Sequence, residues 1–135
     1  MSIRYLILFV ALVATVSVQA AEIWHCSNPD LEVGCGDGRC TAATAGDFTP
    51  MDVDFGDDGS LSVCAYSGCW EGDGRVQDDA RYLAIIARDL PFSTSPDRAD
   101  ARADVALMLD RADGIALLKV AGYAQPMLCE AAPES

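Results

Sequence analysis

Two stretches of the chain alternate apolar and polar side chains with a period of two. Met51, Val53 and Phe55 alternate with Asp52 and Asp54, the pattern of a strand with one face buried and one wet. Gly56-Asp57-Asp58-Gly59 supplies turn chemistry, and Ser60 to Ser67 runs back with Leu61, Val63 and Ala65 on one face. Residues 51–67 therefore predict a β-hairpin. Further on, Arg98, Asp100, Arg102 and Asp104 alternate with Ala99, Ala101, Ala103 and Val105, and the apolar face continues through Leu107 and Leu109. Asp110-Arg111-Ala112-Asp113-Gly114 turns the chain and Ile115 to Ala121 returns, which predicts a second hairpin.

The segment between the hairpins fits two periods. Val76, Ala80, Leu83, Ala84 and Ala87 make a helical stripe, whereas Tyr82, Ala84 and Ile86 alternating with Leu83, Ile85 and Ala87 describe a strand buried on both sides. Residues 76–90 thus fit helix or strand, and strand is the reading adopted for Arg81 to Phe92 because the neighbouring elements are strands. Tyr66 to Gly74 and Phe92 to Asp97 read as loops. Residues 21–46 are rich in Cys, Gly and Asp with little periodicity, and Asn28-Pro29-Asp30 and Gly34-Cys35-Gly36-Asp37-Gly38 are turn chemistry, so an irregular Cys-rich arm is expected. Gly122 to Cys129 is expected to dock through its cysteine and residues 130–135 to form a loose tail. The fold class that follows is mostly β, a small antiparallel β-barrel or sandwich of about five or six strands stapled by disulfides.

The first twenty residues stand apart. Arg4 precedes an uncharged apolar run from Tyr5 to Val18, which ends at Val18-Gln19-Ala20 with small residues where a signal peptidase reads them. The run falls short of the ~20 residues that span a bilayer. A signal peptide over residues 1–20, cut after Ala20, is expected, leaving one domain over residues 21–135. Cys26 is the sixth residue after that cut, so no lipid anchor and no membrane insertion of the mature chain are expected. The destination is periplasmic or secreted.

Charge and cysteine content narrow the function classes. After the cut, eight basic residues face twenty-one acidic ones, a net charge of −13, and Lys119 is the sole lysine. Such a chain repels phosphate backbones and anionic membranes, which disfavours nucleic-acid binding and suits solubility or attraction to a basic partner. Cys26, Cys35, Cys40, Cys64, Cys69 and Cys129 form an even set in a short exported chain, which predicts three disulfides with the pairing left open among fifteen possibilities.

Catalytic and metal chemistry find weak purchase. Cys35-x4-Cys40 and Cys64-x4-Cys69 have spacings a zinc site can use, but an oxidising compartment favours disulfides. Asp52, Asp54, Asp57 and Asp58 lie close together, yet Gly56 and Val63 occupy places where a calcium loop needs oxygen ligands. His25 is the only histidine, and no nucleophile-elbow motif accompanies it. Glu71 and Asp73 resemble a glycosidase carboxylate pair only as any near neighbours in so acidic a chain do. The expectation is a protein with no enzymatic activity, no metal and no cofactor.

The segment Tyr66-Ser67-Gly68-Cys69-Trp70-Glu71-Gly72-Asp73-Gly74 offers the best binding surface. Tyr66 and Trp70 sit beside glycines and a cysteine able to pin them, and rigid aromatics bury much area at small entropic cost. Glu71 and Asp73 add selectivity for a cationic partner. The competing reading is that Trp70 closes the end of the core.

The Trp24-x-Cys26 start, the paired hairpins and the terminal Pro126-Met127-Leu128-Cys129 resemble uncharacterised small exported proteins of Gram-negative bacteria. More loosely, the mature chain is similar to the small β-barrel inhibitors of c-type lysozyme, which carry a Ser-Gly-x-x-Tyr loop that enters the lysozyme cleft. Here Ser67-Gly68-Cys69-Trp70-Glu71 keeps the Ser-Gly, has Glu71 at the tyrosine position and places Trp70 one residue earlier. The function expected is therefore an exported binding module that engages a protein partner, a basic one by charge, through Tyr66, Trp70, Glu71 and Asp73. The alternative is a structural or stress-related envelope protein without a specific ligand.

Overall fold

The structure is a computed structural model that describes residues 20–93 and 101–133. Residues 1–19 of the expected signal segment, residues 94–97 of the expected loop, the start of the second hairpin at residues 98–100 and the last two residues lie outside them.

Eleven antiparallel strands account for the described chain: β1 (Ile23–Asn28), β2 (Leu31–Gly36), β3 (Arg39–Thr44), β4 (Met51–Gly56), β5 (Ser60–Ala65), β6 (Gly68–Asp73), β7 (Arg75–Asp78), β8 (Tyr82–Pro91), β9 (Arg102–Asp110), β10 (Ile115–Val120) and β11 (Tyr123–Ala131). They follow one another around a nearly closed barrel in the order β6-β5-β4-β1-β11-β10-β9-β8-β7, with the β2–β3 hairpin attached to the start of β11. The two expected hairpins are β4–β5 and β9–β10, with Val53 opposite Val63 and Leu118 opposite Leu107. The strand expected from Arg81 to Phe92 is β8, and Val76 lies on a separate strand, β7, with residues 79–81 turning between them. The count exceeds five or six because that segment holds two strands and because three regions read as irregular or loop are paired.

The first is residues 21–46, where β1, β2 and β3 replace the expected irregular arm. β1 lies between β4 and β11 and sends Trp24, Cys26 and Asn28 inward. The β2–β3 hairpin turns through Asp37-Gly38, both at positive φ (49° and 73°), the geometry of a two-residue hairpin turn whose twist suits the flanking strands. It lacks apolar alternation because β3 is exposed along nearly all its length. The second is the expected loop 66–74. Only Tyr66 and Ser67 turn, and β6 pairs with β5 from Gly68 opposite Ala65 to Asp73 opposite Ser60. The third is the tail, where β11 runs to Ala131 and includes two residues expected to be loose.

The barrel closes where the chain passes from β6 to β7. β6 pairs with β5, β7 pairs with the first half of β8, and Gly74 is the joint between them. A Cβ at Gly74 would stand 2.4 Å from Ile85 Cγ2, so only glycine lets the two segments come so close to β8. Beyond, a bulge between Ala87 and Leu90 bends β8 until Trp70 and Phe92 form a bridge, and Ser93 N–H donates to the Cys69 carbonyl at 2.8 Å. The strands of this single layer, the exposed β3 apart, turn one face inward. The core holds Val53, Phe55, Val63, Leu83, Ile85, Leu107, Leu109, Leu118 and Met127, all nearly or wholly buried. The outward set of β8 is therefore not buried as the double-sided reading expected: Ile86 is 52% exposed, and Met108 and Leu117 continue the apolar outer face across β9 and β10.

Three disulfides pair residues directly opposite one another: Cys26–Cys129 across β1 and β11, Cys35–Cys40 across β2 and β3, and Cys64–Cys69 across β5 and β6. They fit an oxidising, extracytoplasmic environment. Each pair of the Cys-x4-Cys type is its own bridge, so its sulfurs are committed to the fold.

Candidate functional site

The two ends of the barrel differ in chemistry. At one end the turns are tied by ion pairs. Arg111 bonds Asp78 (Nη2 to Oδ2, 2.8 Å) and Glu22 (Nε to Oε2, 3.1 Å), while Arg81 bonds Asp110 (Nη2 to Oδ2, 2.7 Å). The hydrogen bonds from Arg111, with a further one from Ala80 N–H, hold the Asp78 carboxyl down at about 2. Hydrogen bonds from Arg81 lower Asp110 in the same way.

The other end gathers the ends of β1, β5, β8 and β10 and the starts of β4, β6, β9 and β11. There no described residue caps the core. A pocket of about 470 Å³ opens among Glu32, Asp47, Phe48, Trp70, Phe92 and Tyr123, with Met51 and Ala65 also on its wall. Trp70 lies opposite inward-facing Val63, and the strand parity turns its indole toward the barrel axis. Its ring meets Phe92 edge-on, with centroids 4.9 Å apart and planes at 61°. The indole Nε1 is buried without a hydrogen-bond partner.

Glu32 enters from β2. It is only 7% exposed and takes a hydrogen bond from Gln125 Nε2 at 2.6 Å. Gln125 shares the inward face of β11 with Met127, and its own Oε1 is buried and unpaired. Tyr123 has the same parity but stands at the mouth, 45% exposed, with its ring 3.7 Å from the position a Cβ would take on Gly34. Asn28 fixes the adjoining turn: its Oδ1 accepts from Asp30 N–H (2.7 Å) and Leu31 N–H (3.1 Å), and its Nδ2 donates to the Pro126 carbonyl.

The four residues singled out by sequence occupy three environments. Tyr66 is 83% exposed at the tip of the β5–β6 turn, which Cys64–Cys69 locks one residue pair below it. Trp70 is half-buried in the pocket wall, so it both packs on the core and borders open space. Glu71 and Asp73 lie on the outer side of β6, where Glu71 accepts a long hydrogen bond from Ser62 Oγ at 3.5 Å. Trp70 and the two acids thus face opposite sides of one strand.

Sequence reasoning missed Glu32, Asp47, Phe48, Phe92 and Tyr123. They come from four separate segments without periodicity, and only the barrel's closure brings them together. The weak chemical candidates resolve into structural roles. His25 Nδ1 lies 2.8 Å from Asp54 Oδ1 on the outer surface of β1 and β4, and that hydrogen bond raises the imidazole pKa. Asp57 accepts from Glu22 N–H and Asp58 from the Ser60 N–H and hydroxyl, so these acids order turns.

The chain matches no protein-family model, and no curated protein or solved structure proved similar to it.

Proposed function

We propose that this chain is an exported binding module without enzymatic activity, which engages a basic protein through the barrel end that carries the β5–β6 hairpin. The observation that carries this reading is the placement of Tyr66, 83% exposed at the tip of a disulfide-locked hairpin, beside an open pocket walled by Trp70. A large aromatic on a rigid turn loses little entropy on docking, and a half-buried indole next to it offers a second anchor. Glu71 and Asp73 set negative charge on the outer face of the same strand, and a net charge of −13 on the mature chain speeds encounter with a cationic surface. Export rests on the signal segment cut after Ala20, with a periplasmic or secreted destination, and on three disulfides that need an oxidising compartment.

The likeness of Ser67-Gly68-Cys69-Trp70-Glu71 to the loop of the c-type lysozyme inhibitors makes a c-type lysozyme the first partner to try. Titration calorimetry of the mature protein against it, at two salt concentrations, tests the proposal. The expected result is one-to-one binding that weakens with salt and falls about tenfold or more in Tyr66→Ala, a change at an exposed turn that leaves the core untouched. Equal heats from wild type and Tyr66→Ala, or no binding to the lysozyme or to basic proteins of other folds, would overturn it.

A further inference from the structure

The pocket has a charge that nothing in the described chain answers. Glu32 is only 7% exposed, and its one hydrogen-bond partner among the described residues is the neutral amide of Gln125. Among the described residues no arginine, lysine or histidine is within ion-pair distance of it. A carboxylate taken out of water is unfavourable unless a cation or several donors replace its hydration. Around it the pocket places four aromatic rings, Phe48, Trp70, Phe92 and Tyr123, and a second acid, Asp47, which is exposed; among the described residues no basic side chain lines the space.

Buried acid plus aromatic walls is complementary to one kind of group. A cation gains from the carboxylate by a charge-assisted hydrogen bond and from the ring faces by their quadrupoles. An anion would be repelled by both acids, and an apolar ligand would leave Glu32 sealed in with only the neutral Gln125 amide as its partner. We infer that the pocket receives one ammonium or guanidinium group, carried by a lysine or arginine side chain of the basic partner. The inference rests on the proposed protein-binding role and makes it specific: the barrel takes in a side chain of its partner, in addition to presenting Tyr66 to it. A polypeptide source also brings carbonyl acceptors of the kind the buried Trp70 Nε1 lacks.

The experiment follows the Trp70 indole N–H resonance while four probes are titrated: acetyl-Gly-Lys-Gly-amide, its norleucine counterpart, n-butylammonium and n-butanol. Glu32→Gln, which keeps the side chain's size and an oxygen for Gln125 Nε2, is run beside wild type, and Asp47→Asn serves as a second variant at an exposed position. The lysine peptide and butylammonium are expected to shift the resonance, norleucine and butanol are not, and Glu32→Gln should weaken the response about tenfold or more. If Glu32→Gln loses its dispersed amide spectrum, a severalfold loss in a folded Asp47→Asn supports the inference and an unchanged affinity overturns it. Equal responses to the lysine and norleucine peptides, or a folded Glu32→Gln that binds as wild type does, overturn it even where a c-type lysozyme still binds. A response to butylammonium with none to the peptide overturns the side-chain source in favour of a small free amine. A lysine response that depends on Glu32, without any binding of basic proteins, supports the pocket chemistry while the protein-binding role falls.

Discussion

Single side chains here do three separable kinds of work: they fill the barrel, they order its turns, and they leave a pocket open. The hydrogen-bonded ion pairs on the barrel's surface and at its turns are the most sensitive to pH. Hydrogen bonding to Asp54 raises the pKa of His25 above its ordinary 6.5, so this pair stabilises the fold below that value and the contribution is lost as pH rises through the folded pKa. Urea unfolding at about pH 5.5 and about pH 8.5 should show a small loss of stability at the higher pH in wild type that Asp54→Asn abolishes. Asp78 has the opposite sign. Its carboxyl, held at about 2 by Arg111, stabilises above the ordinary 3.8 and loses that contribution as pH falls toward 2. Arg111→Met should therefore shift the acid-unfolding midpoint upward, followed by circular dichroism. At this scale the sequence was readable where a residue acts through its neighbours: Asn28-Pro29-Asp30 is a turn, Asp58 bonds the Ser60 backbone two residues on, and Trp70 borders a surface. Glu32 was not readable, because its burial depends on Gln125, a residue 93 positions away along the chain.

Strands declared themselves wherever one face meets the core and the other meets water. Met51 to Phe55 and Ala103 to Leu109 alternate cleanly for that reason, and both hairpins were legible. β2 and β3 were not, since β3 is exposed on both faces and the one buried residue of β2 is the acid Glu32, so neither needs an apolar period, and their Gly, Cys, Thr and Ala look like loop. β6 hid for another reason: Gly68 and Gly72 dilute its pattern, although its pairing to β5 is continuous. Gly74 is the element-scale constraint on closure, because the chain changes partner there from β5 to β8. Gly74→Ala would drive its Cβ into Ile85, which is fully buried, and should cost about 1–3 kcal/mol of stability by urea titration. Gly38→Ala, a turn position at φ 73° with open space around it, should cost less, about 1 kcal/mol, through backbone strain alone.

The whole molecule is a short antiparallel barrel with one end tied by ion pairs and the other left open beneath a pinned hairpin. Cys26–Cys129 joins strands near the two ends of the described chain, with a sequence separation of 103, whereas the other two bridges each close a separation of 5. On chain entropy the long bridge contributes about 5 kcal/mol and each short one about 2 kcal/mol. Paired Cys26→Ala and Cys129→Ala should accordingly destabilise the fold more than paired Cys64→Ala and Cys69→Ala, while the latter should free Tyr66 and weaken partner binding more. Barrel or sandwich stayed open from sequence because the choice rests on Gly74 and the β8 bulge, neither of which has a periodic signature. The open end is the centre of the functional account, and its most direct test is an amide-shift map of the labelled mature protein during titration with a c-type lysozyme. Shifts gathered at Glu32, Phe48, Tyr66 to Trp70 and Tyr123 are the predicted result. Shifts gathered instead around Asp78, Asp110 and Arg111, or spread over the apolar outer face at Ile86, Met108 and Leu117, would contradict it.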